Sequence, residues 1–377
     1  MSSEYRAPTQ LIEAHLHERG WTHRVLAVIL GVDDQTISRI LTGKKAVDAE
    51  MALTLQVVLG IDPDQLLQLQ RSYDLAKAQI EVFIDPNIAT RAALFGELPV
   101  AEIIKRGWLT GITDIRDADL EVALCNFFGT KSVDEIVLSY ATKKPNFTAV
   151  TAAQLAWLCR VRQIAREMLV TKYSPDALLD AIGRFKNLLG SLEGAGKAPH
   201  ILMECGVRYV IVESLKSTNV DGVCFWLNDL SPVIGMSLRL DRIDNFWFVL
   251  RHEIEHVLRQ HGRAFALLDI ELEKGWAGAG RSNIPEEERV ANEAAADFCV
   301  PQSSLEHFIA RKSPSFTDRD IFGFAKTLNI HPGLVAGQLQ HRIGRYDLFA
   351  HHLVRVRSAV RSGAPVDGWG EVAQVGL

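Results

Sequence analysis

Two histidines four residues apart form the clearest chemical pattern in the sequence, the run HEIEH at 252–256. On a helix this spacing puts His252 and His256 on one face, where both imidazoles can reach a single Zn²⁺. Glu253, next to the first histidine, can then act as general base on a water molecule at that metal. The run lies inside a predicted helix that follows predicted strands. We therefore predict a zinc site; two surface histidines on an amphipathic helix are the alternative.

A catalytic zinc needs a third protein ligand, and the next acidic helix of the sequence offers two glutamates. Glu288 precedes Asn292 by four positions, and Glu293 precedes Asp297 by the same interval. A polar residue at that interval can hydrogen-bond a ligand histidine and fix its tautomer. The spacing alone does not distinguish the two glutamates.

The stretches FWFVLRHEIEHV and ERVANEAAADFCVP resemble the ImmA/IrrE family of zinc peptidases. The resemblance covers roughly 200–345 and implies a zincin-like domain with bound Zn²⁺. It also implies a protein substrate, a helix-turn-helix repressor that is either this chain or a partner. Alignment with the second family motif implies Glu288 as the third ligand and Asn292 as the residue that bonds a ligand. Ala294 stands where the family usually has a bulkier Phe or Val, which affects packing more than chemistry.

A second pattern lies near the N-terminus, where short amphipathic helices alternate with turn residues. Thr22 can cap one helix, Gly31 permits a left-handed turn, and a further helix begins at about Asp34. This is the spacing of a helix-turn-helix, whose second helix lies in the major groove of DNA. The predicted contacts are Gln35, Thr36 and Arg39 to base edges, and Thr22, Ser38, Lys44 and Lys45 to phosphates.

Residues 8–78 resemble helix-turn-helix domains of the lambda-repressor/Cro type. The stretches GKK and YDLAKA make them more similar to HigA-like antitoxin-type regulators. The resemblance implies a double-stranded DNA operator and a homodimer. Residues 1–80 carry 8 Lys and Arg against 10 Asp and Glu, so one domain should bind phosphates weakly and a dimer should recover affinity. A module that binds protein instead of DNA is the alternative.

Composition excludes several classes of protein. With 47% apolar residues, 23% charged residues and a net charge of −5, the chain is neither disordered nor collagenous, and any DNA contact must be local. No apolar run approaches the roughly 20 residues of a membrane span, so no membrane partner is predicted. Five widely spaced cysteines without a CxxC pair predict reduced thiols and a cytoplasmic location.

The order of these patterns predicts a multidomain, mainly α protein with a small α+β part. The predicted parts are a five-helix helix-turn-helix bundle (1–80), a helical middle region (81–200), a zincin-like domain with a small antiparallel sheet (201–357) and a flexible tail (358–377). The Gly-rich stretch 190–199 is predicted to be a loop that serves as a hinge or a domain boundary.

The patterns together predict a DNA-binding transcription regulator fused to a zinc metallopeptidase. The alternative is an antitoxin or repressor of a toxin–antitoxin operon, whose zincin-like domain binds a cognate toxin or senses a state without cleavage. A third hypothesis is a zinc ion that serves folding alone. The intact run HEIEH favours catalysis, because nothing structural requires Glu253 beside the predicted ligands.

Overall fold

The computed structural model describes residues 5–375, apart from 84–87, 89–91, 93, 94, 97, 134, 137–149, 265, 271 and 273–284. The chain divides into two compact units, Met1–Ile88 and Ala89–Leu377, which we call the first and second unit. No helix in the part of the chain that the structure describes is long and apolar enough to cross a membrane.

As far as the structure describes it, the first unit is a bundle of five helices. They are α1 (Pro8–Arg19), α2 (His23–Leu30), α3 (Asp34–Leu41), α4 (Ala49–Leu59) and α5 (Pro63–Glu81). The side chains of Thr22, Asp33 and Asp48 accept backbone hydrogen bonds at the starts of α2, α3 and α4. The apolar faces meet in one core that includes Leu26 and Ile37. The predicted helix-turn-helix bundle is confirmed.

The second unit combines helices with a small sheet. Its helices are α6 (Val100–Lys105), α7 (Leu120–Phe128), α8 (Ala152–Glu167), α9 (Pro175–Lys186), α10 (Leu192–Glu204), α11 (Ile243–Leu258), α12 (Glu286–Cys299), α13 (Gln302–Lys312), α14 (Asp318–Leu328), α15 (Pro332–Ile343), a short 3₁₀ turn (Ala350–His352) and α16 (Arg357–Arg361). Its strands are β1 (Arg208–Val212), β2 (Val220–Trp226), β3 (Pro232–Met236), β4 (Leu267–Ile270) and β5 (Val366–Asp367). All five cysteines lie in this unit as buried free thiols.

The sheet has the strand order β4-β2-β3-β1-β5. Strand β2 pairs antiparallel with β3 and β4, whereas β1 pairs parallel with β3 and β5. The predicted antiparallel sheet is therefore wrong, and the sheet is mixed. The difference arises because β3 inserts between β1 and β2, an arrangement that strand patterns along the chain do not specify.

The predicted middle region, 81–200, is not a separate domain. Trp157 of α8 packs against Val210 on one face of the sheet and donates a 2.8 Å hydrogen bond to the carbonyl oxygen of Val212. The opposite face, with Tyr209, is covered by α11 and its neighbours. Alternate residues of β1 thus face two cores. Helices α6, α7 and α8 of the middle region pack on one face of the sheet, whereas α9 and the start of α10 pack on the other.

From residue 192 onward the Gly-rich stretch 190–199 is helical, so the predicted loop is wrong. It forms the first half of α10. A side chain at Gly194 would overlap the backbone of Leu188, and one at Gly196 would overlap the backbone of Ala359. These glycines therefore allow close packing instead of chain flexibility.

The predicted flexible tail, 358–377, packs on the second unit as far as the structure describes it. It completes α16 and supplies β5, which pairs with β1. Asp367 is buried and accepts hydrogen bonds from Arg160 Nη2 at 2.7 Å and Trp108 Nε1 at 2.6 Å. A two-residue strand shows no periodicity in sequence, which is why the prediction of a loose tail is wrong.

Candidate metal centre and nucleic-acid interface

The candidate metal centre begins on α11, which carries His252, Glu253 and His256 into the interior of the second unit. All three side chains are fully buried. The Nε2 atoms of His252 and His256 lie 3.0 Å apart, so both rings turn toward the same point. This convergence follows from their spacing, because residues four apart lie on one face of a helix.

Two carboxylates from distant parts of the chain approach these nitrogens. Glu288 of α12 places Oε2 at 3.4 Å from His252 Nε2 and Oε1 at 3.6 Å from His256 Nε2. Asp269 of β4 places Oδ1 at 3.4 Å from His252 Nε2. One ligand atom from each of the four residues lies within 4.8 Å of the others. Tetrahedral zinc with bonds of about 2.0–2.1 Å separates its ligands by about 3.3 Å, so the four residues fit this ion.

Several polar atoms at this cluster are buried and have no hydrogen-bond partner among the described residues. They are both carboxylate oxygens of Glu253, Oδ2 of Asp269, Nδ1 of His252 and Oδ1 of Asn292. Buried polar groups are normally paired, because an unpaired one costs its full desolvation free energy. A divalent cation and its water would satisfy part of this demand, which agrees with the fit of the distances.

The charges of the cluster perturb one another strongly. Burial would raise the pKa of Glu288, but hydrogen bonds from His252 and His256 outweigh it and hold that pKa well below its usual range. Burial would lower the pKa of His252, but Asp269 and Glu288 raise it to about 10. Burial, reinforced by the negative charge of Asp269, holds the pKa of Glu253 well above its usual range. Perturbed groups of this kind concentrate at functional sites.

Gly222 of β2 provides the space that Glu253 occupies. A Cβ atom built on Gly222 would overlap Oε1 of Glu253 and crowd Val249. Only a glycine therefore lets the strand approach the carboxylate this closely.

Gly222→Ala is expected to lower the free energy of unfolding of the second unit by about 1–3 kcal/mol, because the added methyl group overpacks the core beside Glu253. Gly183→Ala is the matched control. Gly183 lies in α9 with open space around it, so alanine should stabilise the helix by up to about 1 kcal/mol. Urea unfolding of both variants measures the two effects. Equal midpoints for the two variants would contradict the close approach of β2 to Glu253.

Three further polar residues of this region differ in how they relate to the cluster. Asn292 is predicted to bond a ligand histidine; in the structure its Oδ1 is buried and has no hydrogen-bond partner among the described residues. His261 contacts His256 instead, with their Nδ1 atoms 2.9 Å apart. Glu293 is exposed and accepts a 2.7 Å hydrogen bond from Arg289, outside the cluster.

The sequence patterns did not identify Asp269 or His261 as neighbours of the paired histidines. Asp269 has one signal in the sequence, a carboxylate inside the short apolar strand LLDI. No spacing rule connects that strand to α11, because the two meet through the sheet. His261 follows the end of α11, where a turn reverses the chain direction and brings its ring back to His256.

The candidate nucleic-acid interface is formed by α2 and α3 of the first unit. Gly31 joins them in the left-handed conformation, with φ of 66°. Leu26 of α2 and both Ile37 and Ile40 of α3 are buried, which leaves the opposite face of α3 to solvent. This face is the one that a helix-turn-helix presents to the major groove.

The residues predicted to contact DNA fall into two groups, those with free side chains and those whose side chains are hydrogen-bonded at helix starts. Gln35, Ser38, Arg39, Lys44 and Lys45 are exposed and available to a partner. Thr22 and Thr36, in contrast, are engaged at helix starts. Thr22 Oγ1 accepts a hydrogen bond from the Val25 backbone, and Thr36 Oγ1 donates one of 2.9 Å to Asp33. Thr36 is therefore a worse candidate for a base contact than Gln35 or Arg39.

Comparisons with known proteins agree with this interface. The family model described as helix-turn-helix matches residues 12–66. The uncharacterized HTH-type transcriptional regulator YddM of Escherichia coli (strain K12) is 39% identical over 72 residues, which cover 19% of this chain and 77% of that protein. By its N-terminal helices, the chain belongs to the helix-turn-helix family.

Proposed function

We propose that this chain is a DNA-binding transcription regulator whose second unit is a zinc metallopeptidase. The observation that carries the peptidase proposal is the convergence of His252, His256 and Glu288, with Glu253 beside them. The DNA-binding part rests on the helix-turn-helix family and on the exposed polar face of α3.

In this proposal His252, His256 and Glu288 would hold the zinc ion. Zinc bound there would polarise a peptide carbonyl and lower the pKa of a water molecule. His261 would orient the ring of His256 through the contact between their Nδ1 atoms. The burial of His252, Glu253 and His256 lowers the local dielectric constant, which strengthens these electrostatic interactions.

Glu253 would move the proton during peptide cleavage. Its carboxylate lies on the same turn of α11 as His252 and is unpaired among the described residues, so its oxygens are available. A carboxylate in this position can accept a proton from water and then donate it to the leaving amine nitrogen. The substrate that we propose is a helix-turn-helix repressor, either this chain or a partner.

Metal content tests the centre directly. Purified wild-type chain is expected to contain about one zinc per chain, and Glu288→Ala should lose most of it because one charged ligand is removed. His351→Ala is the matched control, since His351 belongs to a surface group with Asp318 and His352 and should not affect the buried centre. Elemental analysis of the three proteins measures the result. A wild type without zinc after reconstitution, or a zinc content unchanged in Glu288→Ala, would refute the centre.

Base recognition by α3 is tested with Arg39. Sites are first selected by the full-length wild-type chain from random double-stranded DNA. Arg39→Ala should then bind the selected site about 5- to 150-fold more weakly and lose preference at one base of each half-site, because a good base contact contributes about 1–3 kcal/mol. Arg71→Ala, an exposed arginine of α5, is the control. Unchanged affinity and preference in Arg39→Ala would refute α3 as the recognition helix.

The half-sites of the selected DNA also test the proposed homodimer. Two copies of the motif related by twofold symmetry should appear about one helical turn apart, because dimeric helix-turn-helix proteins bind such pairs. A single unpaired motif would favour a monomer on DNA.

A further inference from the structure

We propose that Asp269 is a fourth protein ligand that closes the metal centre at rest, and that peptide cleavage requires Asp269 to withdraw. The inference rests on the proposed zinc centre. Catalytic zinc sites have three protein ligands and an open position, whereas four protein ligands are typical of closed sites. His252, His256 and Glu288 account for three ligands. A fourth protein ligand would fill the open position that catalysis needs.

The position of Asp269 is that of a ligand. Its Oδ1 lies 3.4 Å from His252 Nε2, the same distance that separates Oε2 of Glu288 from that nitrogen. The side chain is buried, and its Oδ2 has no hydrogen-bond partner among the described residues. A buried carboxylate is costly unless it is paired or coordinates a metal.

The backbone of β4 explains how Asp269 reaches the cluster. Asp269 lies opposite Gly222 in the pairing of β4 with β2, and the register shifts between Val220 and Gly222. A shift of this kind redirects the side chains next to it. Because Gly222 lies against Glu253, its partner Asp269 is brought to the same part of α11.

Asp269 is also the ligand whose element moves most easily. Strand β4 has four residues, lies at the edge of the sheet and pairs with β2 alone among the described strands. The other ligands lie on α11 and α12, helices of 16 and 14 residues that pack against each other. Withdrawing β4 breaks a few edge hydrogen bonds, whereas moving either helix disrupts the core. Asp269 is therefore the displaceable ligand.

Cobalt(II) tests this coordination without any peptide substrate, because its visible absorption depends on the number and geometry of its ligands. Metal-free full-length chain is titrated with cobalt chloride as wild type, Asp269→Ala and Asp269→Asn. Asp229→Ala, at an exposed turn between β2 and β3, is the matched control. Wild type and control should bind one cobalt with the same four-coordinate spectrum. Both Asp269 variants should bind one cobalt at least about tenfold more weakly, with a changed spectrum.

Sodium azide then probes the open position. The anion should alter the spectrum of cobalt-loaded Asp269→Ala at a concentration about tenfold lower than for wild type, because it takes the place of the lost carboxylate. Asp269 is not a ligand if azide acts equally on wild type and Asp269→Ala, or if both Asp269 variants keep the wild-type cobalt affinity and spectrum. Either result would leave the proposed metal centre intact. If wild type binds no metal, the proposed centre itself fails. Asp269→Asn keeps the side-chain volume. If Asp269→Ala does not fold, the same measurements are made on Asp269→Asn.

Discussion

Replacing Glu253 by glutamine should abolish proteolysis while leaving about one zinc per chain. The amide keeps the volume of the side chain in its buried position beside Gly222, but it cannot accept a proton. Positioned general acid–base catalysis contributes about 10²- to 10⁴-fold to rate, so the variant should lose at least about a hundredfold. His252, His256 and Glu288 are untouched, and zinc binding should persist.

The assay follows cleavage of zinc-loaded chain and of helix-turn-helix repressors by intact mass. Glu293→Gln is the matched control, because Glu293 is exposed on α12 and bonded to Arg289 outside the cluster. The control should cleave at the wild-type rate. Proteolysis that survives Glu253→Gln would show that Glu253 is not the proton acceptor. A zinc-loaded wild type that cleaves none of these proteins, even with Asp269 removed, would favour the non-catalytic antitoxin or repressor instead.

Asp367→Ala should destabilise the second unit by about 3–5 kcal/mol, because removal of one partner leaves a buried charge uncompensated. The side chains of Arg160 and Asp367 are 2% and 1% exposed, and their ion pair measures 2.7 Å. The same carboxylate also accepts hydrogen bonds from Trp108 and from the backbone of Ala373. One substitution therefore removes an anchor of the C-terminal segment and leaves the Arg160 guanidinium without its buried carboxylate partner.

Urea unfolding followed by tryptophan fluorescence measures this effect. The signal reports mainly on the second unit, since Trp21 is the one tryptophan of the first. Asp347→Ala is the control, because Asp347 forms an exposed pair with Arg345 and its loss should leave the midpoint unchanged. Similar midpoints for the two variants would refute an energetic role for the buried pair.

Local patterns in the sequence determine the parts of this protein whose geometry depends on a few consecutive residues. Two histidines four apart must share a helix face, and α11 places them with their Nε2 atoms 3.0 Å apart. Capping by Thr22 and the left-handed Gly31 likewise specify the turn between α2 and α3. The helix-turn-helix could therefore be predicted, and the matching family agrees.

Tertiary structure decides which distant residues meet. The spacing of α12 left Glu288 and Glu293 as equal candidates, and only the packing of α12 on α11 turns Glu288 inward and Glu293 to solvent. Asp269 lies on a strand whose position depends on its pairing with β2. Nothing in the local sequence states that pairing, so Asp269 could not be predicted from spacing.

The same reason explains the differences in the fold. Whether 81–200 forms its own domain depends on long-range packing of α8 on the sheet, and whether the C-terminus is loose depends on Arg160, two hundred residues earlier. The helix-turn-helix and the paired histidines follow from local sequence, because backbone preferences and helical period act within a few residues. Strand order, the acidic side of the cluster and the docked C-terminus were decided by tertiary packing, because their free energy comes from contacts between distant segments.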